Sequence, residues 1–155
     1  MSETRDGLLT EQAVRIGVHA ADKQAAVRAC GDLLVETGAV GDGYVAAMLD
    51  REQEISTYMG EGVAIPHGTN AGRALVRRDA LAVIRFAEPV DWGEGNEVVL
   101  CVAIAALGEG HLDILADLAE ILLDPERARA LRETEEVKDL IRLLEPDDGE
   151  GQTQS

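Results

Sequence analysis

The segment from Arg51 to Asn70, REQEISTYMGEGVAIPHGTN, contains the histidine best placed for chemistry. His67 lies between Pro66 and Gly68. Proline fixes its own φ and favours an extended residue before it, and glycine can adopt backbone angles closed to other residues, so the chain can turn directly after the imidazole. An imidazole with the ordinary pKa of about 6.5 can be a base, a nucleophile or a metal ligand at neutral pH. The sequence therefore predicts a histidine presented at a turn. The alternative is a loop histidine without a role.

Two further residues could join His67 in a site. His111 follows Gly110 in the first turn of a predicted helix, directly after a buried strand. Junctions of this kind bind ligands in α/β folds, and the N–H groups and positive dipole end of the helix favour an anion. Arg51 ends another predicted helix and would be a fixed cation if it faced inward. The alternatives are a polar helix opener for His111 and a surface ion-pair partner for Arg51. His19 has no such setting and is predicted to lie on the surface.

Other chemistries have little support in the sequence. The histidines lack the close spacing of zinc motifs, and the chain has no P-loop, dinucleotide fingerprint or GxSxG elbow. Cys30 and Cys101 fall on a helix face and an apolar strand, which is typical of small buried hydrophobes and not of a disulfide or a metal pair. We therefore expect no metal site. An anion pocket built around histidine favours phosphate chemistry.

Five helices are predicted from the apolar periodicity and the capping residues. Arg51 falls at the end of the second helix and His111 at the start of the third. The predicted helices are Asp22 to about Thr37, Asp42 to about Glu52, the segment HLDILADLAEILL, a helix opened by Asp124 and Pro125, and a helix from Thr134 with Glu135 and Glu136 in its first turn. The side chains predicted to be buried on them are Ala26, Cys30, Leu33, Leu34, Val45, Met48, Leu49, Leu112, Leu115, Leu118, Ala119, Leu122, Val137, Leu140, Ile141 and Leu144.

The predicted strands are short and mostly apolar. A weak strand covers Ala13 to Val18, an extended piece covers Val63 to Ile65, and buried strands cover Asp79 to Phe86 and Val98 to Ala106, with a turn region from Glu88 to Asn96 between them. The continuous apolar run of the last strand implies a place near the middle of a sheet that is covered on both faces. We therefore predict a single α/β domain, with a mixed β-sheet flanked by helices on both faces. The predicted organisation is a flexible N-terminus (1–8), one domain (9–146) and a disordered acidic tail (147–155).

Charge and hydropathy narrow the possible partners. The 155 residues include 14 Lys and Arg against 30 Asp and Glu, so the net charge is −16 and the pI is about 4.4. Such a surface repels nucleic-acid phosphates, so we expect no nucleic-acid partner and favour a basic protein, unless the acidity serves solubility alone. No signal peptide is visible, and the longest apolar run, Val98 to Leu107, is too short for a membrane helix. We expect a cytoplasmic protein.

The run GAVGDGYVAAMLDREQEISTYMGEGVAIPHGT resembles the enzyme IIA component of the phosphoenolpyruvate:sugar phosphotransferase system, in the mannitol/fructose class. The mannitol branch is the most similar, through YVAAMLDRE and TYMGEGVAIPHGT. The segments VDWGEGNEVVLCVAIAA and GEGHLDILADL resemble the inner strand and the second-histidine segment of that family. The likeness covers roughly residues 9–145, and only the acidic tail departs from the pattern.

This resemblance implies a phosphoryl shuttle. The phosphorylated histidine of the family falls on His67, with Nε2 as the attacking atom, its companion histidine on His111, and its arginine on Arg51. Thr57 and Thr69 are weaker candidates for hydroxyl hydrogen bonds. The implied donor is HPr, which presents basic residues around its own phosphohistidine. The implied acceptor is a cysteine of a IIB domain, which phosphorylates sugar as the membrane component IIC transports it. No metal or organic cofactor is implied.

Two other functions remain open at the level of sequence. One is a regulatory domain of the same fold, as in the nitrogen-related branch, whose phosphorylation state controls a bound protein. The other is a binding module without chemistry. The mannitol-like run, together with the presence of both His67 and His111, favours transport over either alternative.

Overall fold

The computed structural model describes residues 9–54, 56–107 and 110–144, and for residues 70, 71, 73 and 110–112 the backbone alone. Five strands form one mixed sheet in the order β1-β4-β5-β3-β2, with β5 in the middle as predicted. The strands are β1 Val14–Val18, β2 Tyr58–Gly60, β3 Val63–Ala64, β4 Ala80–Gly93 and β5 Asn96–Ala105. β1 runs parallel to β4 and β3 runs parallel to β5, whereas β4 pairs with β5 and β2 pairs with β3 in antiparallel fashion. The predicted flexible N-terminus and acidic tail lie outside the described residues.

Helices cover both faces of this sheet, which confirms the predicted fold class. The helices are α1 Lys23–Glu36, α2 Tyr44–Glu54, α3 Gly110–Leu122, α4 Pro125–Glu133 and α5 Val137–Leu144. Helices α1 and α2 share one apolar cluster with the sheet, and α3, α4 and α5 share the other. β5 feeds both clusters, because alternate side chains of a strand point to opposite faces. Cys101 and Ala103 join the first cluster, and Val102 and Ile104 join the second.

Two of the predicted N-caps are confirmed by their hydrogen bonds. The Asp22 side chain accepts from the N–H of Ala25 at the start of α1, and Asp124 caps α4 with Pro125 as its first residue. Two other predicted helix starts are wrong. Helix α2 begins at Tyr44, two residues after the predicted cap Asp42. Helix α5 begins at Val137, because Thr134 adopts an extended conformation (φ −64°, ψ 144°) as it ends α4.

The predicted turn from Glu88 to Asn96 is mostly strand. β4 continues to Gly93, with Val90 opposite Val98, and Pro89 falls within an irregularity of the pairing, where a missing N–H is tolerated. Val90 and Trp92 are buried while their neighbours are exposed, so this part of β4 has the period of a half-buried strand. The actual turn is a tight hairpin at residues 93–95, all three of which have positive φ. Strand β2 was not predicted.

The buried face of α3 also differs from the prediction. Ile114, Leu118 and Ile121 are buried, whereas Leu115 is half-buried and Ala119 is exposed. The helix is therefore rotated so that Ile114, Leu118 and Ile121 meet the core, and Leu115 packs at the edge of the same cluster. On α2, Val45 and Leu49 are half-buried and not fully buried. Within the described residues, no helix combines the length and the apolarity needed to cross a membrane.

Candidate active site around His67

His67 lies beside the carboxyl-terminal end of the central strand. The N–H of Ile104 in β5 donates to the carbonyl of Pro66 at 2.9 Å, and His67 itself forms a parallel bridge with Ile104. On the other side, the N–H of Ile65 donates to the carbonyl of Thr57 at 3.0 Å. The segment that carries the imidazole is thus held between the central strand and the loop before β2. A side chain on such a segment is presented from a rigid support.

The tautomer of His67 follows from one hydrogen bond. Nδ1 of the imidazole lies 2.9 Å from the carbonyl oxygen of Ile65. A carbonyl oxygen only accepts, so Nδ1 must be the protonated nitrogen. In the neutral ring the lone pair then resides on Nε2, since the partner of one ring nitrogen sets the state of the other. In the half-buried His67 ring, Nε2 is therefore the nitrogen whose lone pair could act as a nucleophile.

Gly68 is required by the close approach of a tyrosine. The buried Tyr44 hydroxyl accepts from the N–H of Gly68 at 2.9 Å and donates to the carbonyl of Ile104 at 3.1 Å. A Cβ atom on Gly68 would lie 2.7 Å from Cε1 of the Tyr44 ring. The φ of Gly68 is not positive, so the chain does not use the conformational freedom predicted for this glycine. The glycine makes room for the tyrosine that ties the histidine segment to β5.

We expect Gly68→Ala to destabilise the protein by about 1–3 kcal/mol, because the ring and backbone must shift to admit the methyl group. Gly41→Ala is the matched control, since Gly41 also lacks a positive φ and its nearest contact would be an ordinary 3.7 Å. Urea unfolding of both variants measures the difference. Equal stability of the two variants would show that the Tyr44 contact gives way without cost.

His67 opens into a cavity of about 680 Å³. Arg51, at the end of α2, is half-buried and lines the same cavity. The cavity therefore combines an imidazole with a guanidinium cation, an arrangement suited to an anionic group. The other lining residues are Tyr44, Glu54, Ser56, Thr57, Tyr58, Met59, Ile65, Gly68, Thr69, Ile104, Ala106 and Leu115.

His111 is placed by its helix. It lies in the first turn of α3, as predicted, and its side chain is outside the described part of the structure. Leu115, one helical turn further along, lines the cavity. Positions four residues apart share a helix face, so position 111 is on the cavity-facing side of α3, near its N-terminus. The backbone thus places position 111 one helical turn before a residue that lines the cavity of Arg51 and His67.

The two threonines at the cavity have different hydrogen bonds. The buried Thr57 donates its hydroxyl proton to Oε1 of Glu52 at 2.6 Å. The Thr69 hydroxyl accepts from the N–H of Gly72 at 3.3 Å, which leaves its own proton for donation. Thr69 is therefore the better placed of the two to donate to a group in the cavity.

Met59, Val63 and Ile65, the apolar residues of the segment before His67, differ in burial. Val63 and Ile65 are buried and cannot serve as an exposed surface, because both pack into the apolar cluster that the sheet shares with α3, α4 and α5. Met59 is half-buried and lines the cavity. His19 is 73% exposed, 3.6 Å from Glu88, in agreement with its predicted surface position.

Cys30 and Cys101 are free and buried, as predicted. Burial, and secondly a hydrogen bond with Cys30, raises the pKa of the Cys101 thiol well above its ordinary value. The Cys101 thiol therefore keeps its proton and is a poor nucleophile. In the part of the chain described, no group of three or more His, Cys, Asp or Glu side chains could hold a metal ion.

The sequence did not single out Tyr44 or Glu52. Tyr44 could have drawn attention as one of two tyrosines in a chain with 3% aromatic residues, at the very start of a helix. Glu52 gave no such signal, because an acidic residue near a helix end is common on surfaces. Its carboxylate is nevertheless buried, with 5% exposure.

The family model described as "Phosphoenolpyruvate-dependent sugar phosphotransferase system, EIIA 2" matches residues 7–146. The mannitol-specific phosphotransferase enzyme IIA component of Halalkalibacterium halodurans is 37% identical over 144 residues, which are 93% of this chain and 97% of that one. The chain is also 36–39% identical over 136 residues to the multiphosphoryl transfer proteins of Vibrio cholerae, Haemophilus influenzae and Escherichia coli O157:H7, of whose length it spans 27–36%.

Solved structures of IIA proteins are also similar to this chain over most of its length. The complex of IIA mannitol with phosphorylated IIB mannitol from Escherichia coli has a chain that is 33% identical, with a TM-score of 0.82, covering 88% of this chain and 98% of that one. The nitrogen regulatory protein IIA-Ntr from Neisseria meningitidis is 25% identical, with a TM-score of 0.79, covering 93% of this chain and 100% of that one.

Proposed function

This chain belongs to the EIIA 2 family of the phosphoenolpyruvate-dependent sugar phosphotransferase system, and from that premise we propose that it is a mannitol-class phosphocarrier in the cytoplasm. It accepts a phosphoryl group from phospho-HPr on Nε2 of His67 and passes it to a cysteine of a IIB domain. The observation that carries this proposal is the bond from Nδ1 of His67 to the carbonyl of Ile65, which leaves the lone pair on Nε2. The IIB acceptor is supported by the complex of IIA mannitol with phosphorylated IIB mannitol.

The same bond supports both halves of the reaction. The lone pair of Nε2 forms the new N–P bond while the P–N bond of phospho-HPr breaks, and the leaving imidazole of HPr keeps that electron pair. The His67 ring becomes more positive as the bond forms. The Ile65 carbonyl, already 2.9 Å from Nδ1, stabilises that charge without having to move. Onward transfer to the IIB thiolate returns the pair to Nε2 and restores the neutral ring.

The rest of the cavity supplies charge and alignment. In-line phosphoryl transfer needs positioning and stabilisation of the equatorial oxygens more than bond-making help. Arg51 provides a planar cationic fork for two of these oxygens. The N-terminus of α3 provides N–H groups and the imidazole of His111, and Thr69 donates its hydroxyl proton. Thr57 acts indirectly, because its proton is already donated to Glu52.

The competing function is the regulatory one of the nitrogen-related branch. The observation that favours it is the similarity to IIA-Ntr, which also extends over nearly the whole chain. The higher identity to the mannitol proteins favours transport. The two functions differ in where the phosphoryl group goes next, because only a sugar-specific IIB domain drains it rapidly.

Labelling with phosphoenolpyruvate, enzyme I and HPr tests the proposal. We expect one acid-labile, base-stable phosphoryl group on His67, with the N–P bond at Nε2 as read from phosphorus and nitrogen NMR. Adding a mannitol IIB domain is expected to drain the label within the dead time of hand mixing, whereas a IIB domain of another sugar class drains it slowly. Label on another residue, or on Nδ1, contradicts the proposed chemistry. Label that no IIB domain removes favours the regulatory function.

A further inference from the structure

Glu52 has a buried carboxylate that is bonded to Thr57, a residue of the cavity lining. Oε1 of Glu52 accepts from the Thr57 hydroxyl at 2.6 Å. Oε2 accepts from the Thr57 N–H at 2.9 Å and from Nε1 of Trp92 at 3.1 Å, and Nζ of Lys23 lies 3.4 Å away. One carboxylate thus joins α2 to β4, α1 and the loop before β2. A buried carboxylate is costly unless it is paired and hydrogen-bonded, and here both oxygens have partners.

A short chain of hydrogen bonds leads from this carboxylate to the nucleophile. Glu52 holds Thr57 by both its N–H and its hydroxyl. The Thr57 carbonyl in turn accepts from the N–H of Ile65 at 3.0 Å, and the Ile65 carbonyl accepts from Nδ1 of His67 at 2.9 Å. Each of these hydrogen bonds holds the residue that makes the next hydrogen bond in the chain. The position of the Ile65 carbonyl, and with it the proton on Nδ1, therefore depends on where Thr57 is held.

We propose that Glu52 is a positioning residue for phosphoryl transfer, which keeps the His67 ring in the Nδ1–H tautomer by holding Thr57 and, through it, Ile65. The inference rests on the proposed function, in which Nε2 attacks. It goes beyond it because Glu52 touches no reacting atom and does not line the cavity. Loss of the Glu52–Thr57 bonds lets the Ile65 carbonyl drift, so that part of the population protonates Nε2 and cannot attack.

Two variants remove the link and one serves as the matched control. Glu52→Gln leaves one side-chain oxygen for the two N–H donors, so the Thr57 hydroxyl must reverse and accept from the amide N–H₂, and all these bonds lose their charge assistance. Thr57→Val removes the hydroxyl with little change in volume. Lys23→Met removes a different partner of the same carboxylate, on the half-exposed side away from the loop. Thr57→Ser restores the hydroxyl. If Glu52→Gln does not fold, Thr57→Val carries the test by itself.

The first measurement is the tautomer of His67 by nitrogen NMR of the imidazole, with no phosphoryl donor present. We expect the Nε2–H form to rise in Glu52→Gln and Thr57→Val, and to stay at the wild-type level in Lys23→Met and Thr57→Ser. The tautomer measurement is informative even if the wild-type protein accepts no phosphoryl group. Failure of the proposed function is therefore distinguishable from failure of this inference. Unchanged tautomers in the first two variants, or an equal change in Lys23→Met, overturn the inference.

The second measurement is the single-turnover rate of phosphorylation by phospho-HPr. We expect about a tenfold or greater loss in Glu52→Gln and Thr57→Val, since misplacement by about 1 Å can cost about 10²-fold in rate. Lys23→Met and Thr57→Ser are expected to stay within about twofold of wild type, because neither change removes the bonds between Glu52 and position 57. The double variant Glu52→Gln/Thr57→Val should be no slower than the slower single variant, because both act on one link. Additive losses would mean that the Thr57 hydroxyl acts directly on the phosphoryl group, and would overturn the inference.

Discussion

His67→Gln is expected to abolish phosphoryl labelling by phospho-HPr, whereas His111→Gln is expected to slow it and leave the final amount of label unchanged. The difference follows from the roles proposed for the two rings. His67 supplies the lone pair that becomes the N–P bond, and glutamine has no nitrogen of comparable basicity. Position 111 contributes one hydrogen-bond donor near the helix start. Glutamine keeps an amide N–H₂ but not the position of the ring nitrogen, and a lost or misplaced donor costs up to about 10²–10³ in rate and not the reaction itself.

The other groups at the cavity do not replace His67. The hydroxyls of Ser56, Tyr58 and Thr69, which also line the cavity, are weak nucleophiles unless a general base activates them. Cys101 is buried, and its raised pKa keeps the thiol protonated. The measurement is the time course of acid-labile label in the wild type and both variants. His19→Gln is the control, because the third histidine is exposed and lies apart from the cavity lining.

Either of two outcomes contradicts this assignment. Full labelling of His67→Gln would move the phosphoryl group to another residue. Complete loss of label in His111→Gln, at wild-type stability in urea, would mean that the ring at position 111 is as essential as the nucleophile. A slower rate with a normal plateau, by contrast, agrees with stabilisation of the transferred group.

Local signals in the sequence predicted the elements that position the site. Asp22 and Asp124 mark helix starts through side-chain bonds to residues two or three positions away. The apolar run of β5 identified the central strand, since only a strand covered on both faces tolerates that pattern. Arg51 was found at the end of a predicted helix, and His67 was found by its place between Pro66 and Gly68. His111 was placed in the first turn of α3 by the same reasoning.

The sequence could not reveal contacts between distant positions. The Tyr44 hydroxyl meets the carbonyl of Ile104, 60 residues later, and Glu52 meets Trp92, 40 residues later. Neither contact leaves a periodicity or a cap in the chain. The same reason explains why the role of Gly68 was not predicted. Its small size makes room for the Tyr44 ring, and its φ is not positive. The extension of β4 past Pro89 was missed because the pairing with β5 outweighs the local preference for a turn.

Arg51→Gln is expected to lower the single-turnover rate of phosphoryl transfer by about 10²–10³. The guanidinium is half-buried in the cavity that His67 shares, where its charge is screened less by water than on the surface. The rate of Arg51→Lys is expected to lie between the rates of the wild type and Arg51→Gln, because lysine keeps a positive charge but not the planar fork that two phosphoryl oxygens can share. Rapid-quench measurement with phospho-HPr gives all three rates.

Arg28→Gln is the matched control for Arg51→Gln. Arg28 is exposed on α1 and does not line the cavity, so its loss makes the same change in net charge without touching the site. Charge that acts on the encounter with a partner is screened by salt, whereas a contact inside the cavity is screened much less. The Arg51→Gln defect is therefore expected to persist at high ionic strength, and Arg28→Gln to transfer normally there. Equal defects in the two variants, both removed by salt, would assign Arg51 to docking of the partner instead of to the transferred phosphoryl group.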